Sequence, residues 1–103
     1  MTLYTGTITH TQPSVATATS TVIAAANSQR RYLAIQNRTG ANIMLNFAGG
    51  TLSGIAPTAT NIGAVLGNGA QFTFTDPFCP SGAVTAYHTA GSTINTICVI
   101  EGQ

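Results

Sequence analysis

Residues 29–47 read QRRYLAIQNRTGANIMLNF. In the first half Leu33 and Ile35 share one parity, and in the second Ile43, Leu45 and Phe47 do, so each half carries the two-residue period of a strand with one buried face. Between them Asn37-Arg38-Thr39-Gly40 places an Asn and a Gly where a reversing chain must reach positive φ. The stretch predicts a hairpin with a loop of about three to five residues, the centre of a small all-β domain.

Composition constrains what surrounds it. The chain has 103 residues, enough for one domain with a real core and too few for two. Apolar residues make up 44% and alternate regularly, which excludes disorder. Only five side chains are charged, Arg30, Arg31, Arg38, Asp76 and Glu101, with no Lys and a net charge of +1, against about a quarter of residues in ordinary soluble domains. Thr, Ser, Asn and Gln carry the polarity instead. A near-neutral chain lacks colloidal repulsion, and its strand edges invite pairing, so it is safest with those edges covered inside an assembly.

The N-terminus has no basic start, apolar core and small-residue cleavage site, and no run reaches the eighteen or so apolar residues of a membrane span. The chain is therefore expected to stay in a cytosol unless it leaves by lysis or within a particle. Cys79 and Cys98 are too few for a disulfide framework and read as small buried hydrophobes; a bridge would need them to face each other on neighbouring strands.

Residues 1–20 are rich in Thr and poor in apolar area, and Pro13 interrupts them, so they read as an extended N-terminal arm that pairs with something else. Residues 21–103 form the domain. Thr21, Val22 and Ile23 favour a strand, and Asn27-Ser28 turns the chain toward the central stretch. Thr51 to Asn61 is a Gly/Pro/Thr/Ala loop, Ile62 to Leu66 a short strand, and Gly67-Asn68-Gly69 a turn. Phe72 and Phe74 alternate with Gln71, Thr73 and Thr75 and are core rings. Pro77 and Pro80 make residues 76–82 a rigid crossover that cannot lie inside a sheet. Strands follow at Ala83 to His88 and Thr93 to Glu101; the second is apolar on both faces, as if it lay between the core and a neighbour. The sum is a small antiparallel β-sandwich, jelly-roll or Ig-like, of about six to eight strands with no helix.

Chemistry is sparse. Asp76 before Pro77 reads as a turn residue, and paired-carboxylate hydrolysis would need Glu101 to join it from the far end of the chain. His10 and His88 have no ligand partners at zinc spacing and read as surface or capped histidines. No Gly-x-Ser-x-Gly elbow occurs, and the Gly67 to Gly69 turn precedes a strand instead of the helix that phosphate binding requires. An enzyme is not expected, nor a cofactor or metal. Three arginines are too few for the broad basic face of a nucleic-acid binder; Arg30, Arg31 and Arg38 suit a protein interface better, through the planar guanidinium fork.

The run Arg31-x-Leu33-x-Ile35-Gln36-Asn37-x-Thr39, then Ile43, Asn46-Phe47, Gly54-Ile55, Pro80-x-Gly82-Ala83-Val84-x-Ala86 and Val99-Ile100-Glu101-Gly102 resembles small tailed-bacteriophage virion proteins. In these a β-sandwich of similar size serves as a capsid decoration, or cement, protein. The resemblance covers residues 29–102 and leaves out the Thr-rich arm. It implies a non-enzymatic late structural protein of the virion, assembled in the host cytoplasm, that binds the major capsid protein or another virion protein and stabilises the head. It implies a homo-oligomer too, a trimer among the options, with no nucleic-acid or membrane partner. The expected partner-binding residues are Leu3, Tyr4 and Ile8 on the arm with Arg30, Arg31 and Arg38. The alternative is a tail or fibre module that binds host glycan through the loop at Thr51 to Asn61, with Tyr87 or Tyr32 as a stacking ring.

Overall fold

The structure is a computed structural model that describes residues 6–16, 19–50, 63–88 and 96–103. Among the described residues eight strands run in chain order: β1 Ile8–Thr11, β2 Thr21–Ala24, β3 Tyr32–Asn37, β4 Ile43–Asn46, β5 Ala64–Leu66, β6 Gln71–Thr75, β7 Val84–Tyr87 and β8 Ile97–Gly102. They form two four-stranded antiparallel sheets, one in the order β1-β8-β3-β6 and one in the order β2-β7-β4-β5. That order is the eight-stranded jelly roll. The described residues contain no helix.

The core is the set of inward-facing residues that alternation marks. Leu33 and Ile35 of β3, Ile97 and Val99 of β8, Ile43 and Leu45 of β4, and Val84 and Ala86 of β7 are all buried between the sheets. Phe72 and Phe74 lie opposite Ile35 and Leu33 on edge strand β6, so their rings reach only the rim of this core and are half-buried. Phe47, leaving β4, closes that rim, its ring centroid 4.9 Å from Phe74 and 5.6 Å from Phe72.

The expected hairpin is not there. β3 pairs with β6 and β8, and β4 with β5 and β7, so residues 38–42 carry the chain from one sheet to the other. The physical reason is Asn37. Its buried side-chain amide donates to the carbonyls of Ala41 at 2.6 Å and Leu66 at 2.9 Å. Its Oδ1 accepts from the Thr39 backbone N–H at 3.0 Å and the Thr39 hydroxyl at 2.7 Å. The side chain thereby satisfies the corner's backbone groups where a hairpin would have used cross-strand bonds, and Gly40 takes the positive φ of 84°.

The described part of the expected arm is also sandwich. β1 pairs with β8 from Ile8 opposite Gly102 to Thr11 opposite Val99, Ser14 bridges Thr96, and Val15 is fully buried. Thr-rich sequence can form an edge strand because its partner supplies the buried area. Leu3, Tyr4 and the loop at 51–61 lie outside the described residues. Residues 76–82 do cross between sheets, from β6 to β7, with Asp76-Pro77 in the cis form.

Two substitutions on one strand separate the corner from its surroundings. Asn37→Asp removes both side-chain donors and sets a carboxylate against the Ala41 and Leu66 carbonyls; it should lower stability in urea denaturation by at least about 2 kcal/mol. Gln36→Glu, on the opposite face of β3, should cost less than about 0.5 kcal/mol. Equal effects would remove Asn37 from its role in the corner.

Candidate functional site

Arg30, expected at an interface, lies inside the protein with 4% of its surface exposed. It sits just before β3. Its Nε donates to Glu101 Oε2 at 2.9 Å, Nη1 to the carbonyls of Pro80 at 2.7 Å and Gly82 at 2.9 Å, and Nη2 to the carbonyl of Ala25 at 2.6 Å. A buried guanidinium needs this many acceptors to offset its lost hydration. It binds the start of β3 to β8, to the exit of β2 and to the approach to β7, so its role is structural. The sequence did hold a signal: with two acids in the chain, each is a prime partner for one of the adjacent arginines.

Arg31 takes the other acid. Its Nε lies 2.7 Å from Asp76 Oδ2, and both side chains are largely exposed, a pairing worth little in stability. Asp76 is thus a turn-end ion-pair partner, as its place before Pro77 suggests. Arg38 is exposed and forms no ion pair among the described residues. The structure therefore scatters the three arginines among three settings instead of gathering them.

What it does gather is the outer face of the first sheet. The register places Ile8, Gly102, Tyr32 and Thr75 in one row across the four strands, and His10, Ile100, Ala34 and Thr73 in the next. Ile8 is 59% exposed, Tyr32 and Ile100 are half-buried, and with Gly102 they line an apolar groove of about 310 Å³ bounded by Arg31 and Asp76. At the other end of this face Gln12, Arg38, Thr96 and Cys98 surround a more polar depression of similar size. The second sheet differs: Met44, Thr85 and Tyr87 point away from the core by strand parity yet are buried. Tyr87 is therefore withdrawn as a sugar-stacking ring, whereas Tyr32 lies on the groove.

The remaining reactive groups do not converge. Both cysteines are free and half-buried, less enclosed than expected, Cys98 on the outer face and Cys79 packed against the core's margin. Burial pushes the Cys79 thiol above its ordinary range; the Arg30 guanidinium pulls it down, while Asp76 and Glu101 push it up. His10 is exposed on β1, and His88 is buried with Nε2 3.0 Å from the Val15 carbonyl oxygen. No group of three or more His, Cys, Asp or Glu that could hold a metal ion occurs among the described residues.

No protein-family model and no curated protein matches the chain. A solved structure described as "Bacillus endospore appendages form a novel family of disulfide-linked pili" aligns with 94% of this chain and 88% of its own, at 23% identity and a TM-score of 0.49. A likeness of that size carries no functional conclusion.

Two measurements check this assignment of roles. Arg30→Ala should destabilise the domain by about 3 kcal/mol, because Glu101 and three carbonyls lose their donor, while Arg31→Ala, which breaks the exposed pair with Asp76, should cost less than half as much. A reversed order in chemical denaturation would contradict the structural role. Cys79 should react with iodoacetamide at pH 8 several-fold more slowly than free cysteine, since only the thiolate attacks and the raised pKa keeps it scarce; an equal rate would show the thiol unshifted.

Proposed function

We propose that this chain is a non-enzymatic structural subunit of a larger protein assembly and, in finer form, a decoration protein seated on the major capsid protein of a tailed-phage head. The observation that supports this reading is the outer face of the first sheet, where Ile8, Tyr32 and Ile100 lie exposed or half-buried between the Arg31–Asp76 ion pair at one margin and Arg38 at the other end. Four of the five charged side chains are used in two ion pairs, Arg30 with Glu101 and Arg31 with Asp76. Arg38 alone is left to supply the net charge of +1. Such a surface suits burial against a partner better than free solution. The capsid part of the reading rests on the sequence resemblance.

Mixing the purified protein with expanded empty phage capsids and sedimenting the particles tests it. Saturable binding and a raised particle-disruption temperature are expected, with Ile8→Asp lowering occupancy at least tenfold while the domain stays folded, because Ile8 is already largely exposed. Absence of the protein from the pelleted particles at every ratio would defeat the capsid reading.

A further inference from the structure

The two sheets treat their edges differently. In the second sheet β5 has three residues and β2 is interrupted by a register shift between Val22 and Ala24, and shortness and bulges both blunt an edge. In the first sheet β1 reads Ile-Thr-His-Thr and β6 reads Gln-Phe-Thr-Phe-Thr, regular strands with no Lys, Arg, Asp, Glu or Pro. These are the devices that ordinarily keep an edge from pairing, and neither strand has one.

The hydrogen-bond phase shows which groups those edges offer. Thr7 and Gln103 exchange both backbone bonds, at 2.9 and 3.0 Å, so Thr9 and Thr11 turn their amides toward β8, and Ile8 and His10 turn theirs outward. On β6 the bonds from Asp76 N to Arg31 O and from Asn37 N to Ala70 O, both 3.0 Å, fix the opposite ends of the ladder. Phe72 and Phe74 therefore bond inward to β3, while Gln71 and Thr73 present N–H and C=O to the outside and Thr75 presents its N–H, its carbonyl accepting from Phe78 N–H at 2.9 Å. The outward residues of both strands carry their side chains on the sheet's outer face, so pairing one set with the other keeps outer face with outer face and leaves the phenylalanines on the inner side.

Direction agrees. All pairings in this four-stranded sheet are antiparallel, so β1 and β6 at its two edges run in opposite senses, and setting β6 of one copy beside β1 of the next continues the alternation without a parallel junction. We propose that this chain assembles with further copies of itself by pairing the outward backbone groups of β6 (Gln71, Thr73, Thr75) with those of β1 (Ile8, His10) on the next copy. A single kind of joint then covers both open edges of every subunit. Because the two surfaces differ, the joint is head-to-tail and yields a ring if the rotation closes or a filament if it does not. The inference rests on the reading of the chain as an assembly subunit, and it names the second copy as a partner.

Sedimentation velocity over a range of concentrations tests it with two variants. Proline removes an outward donor at an edge without breaking an inward bond, so His10→Pro blocks β1 and Thr73→Pro blocks β6. The wild type should form concentration-dependent oligomers larger than dimers. Each variant alone should be monomeric, and an equimolar mixture should stop at one-to-one dimers, since one unblocked β6 and one unblocked β1 remain. Should a proline variant lose its folding transition, His10→Lys and Thr73→Lys take its place, with charge as the block. Dimers of Thr73→Pro alone would replace the joint with β1 against β1, and dimers of His10→Pro alone with β6 against β6; either result overturns the head-to-tail proposal. A wild type that stays monomeric throughout, even if it binds capsids, overturns self-pairing while leaving the capsid reading intact.

Discussion

The buried guanidinium of Arg30 is the contact on which the sandwich's arrangement depends. Its four hydrogen bonds, to Glu101, Pro80, Gly82 and Ala25, tie β3 and β8 of one sheet to the ends of segments belonging to the other. At the far end of β3 the Asn37 side chain does the corresponding work, joining that strand to Leu66 of β5 and to the corner that follows. Hydrophobic burial between the sheets is non-directional and would tolerate several relative placements. Two polar anchors at opposite ends of one central strand leave far fewer, because each would strand buried donors or acceptors if the sheets slid.

The division of charge follows from these anchors. With two acids available, the fold uses Glu101 beside the buried Arg30 and Asp76 at the end of β6, and it has none left to place within the edge strands β1 and β6. Thr, Gln and His take up those positions. They hydrate well enough for a small domain but set no electrostatic barrier to another strand. The same scarcity accounts for the lack of any cluster of three or more His, Cys, Asp or Glu that could hold a metal ion among the described residues, both acids being paired with arginines.

Much of this was legible in the sequence, and the failures share a cause. Period-two alternation marks β3, β4 and β6, and β-branched content and turn signals place β2, β5, β7 and β8, whereas β1 falls in the Thr-rich segment that reads as an arm; inward residues such as Leu33, Ile35, Leu45 and Val84 are apolar for the same reason wherever their strand lies. Alternation does not say which strands are neighbours. Leu33 and Ile35 could have lain beside Ile43 and Leu45 in one sheet or faced them across the core, and a five-residue connection fits both; only the buried side chain of Asn37 decides, and its partner Leu66 is far away in sequence. Arg30 was misread similarly. An arginine pair beside a turn looks like surface until Glu101, from the last strand, is brought beneath it. The edge character of β1 and β6 was equally hidden, since an edge is a property of sheet order and not of local pattern.

Assembly through the first sheet can be followed at single residues by amide hydrogen exchange measured at increasing protein concentration. The amides of Ile8, His10, Gln71, Thr73 and Thr75 should pass from fast exchange to protection as oligomers form, while those of β2 and β5 keep one rate throughout. Protection that appears on β2 or β5 instead, or rates on β1 and β6 that never change with concentration, would contradict it.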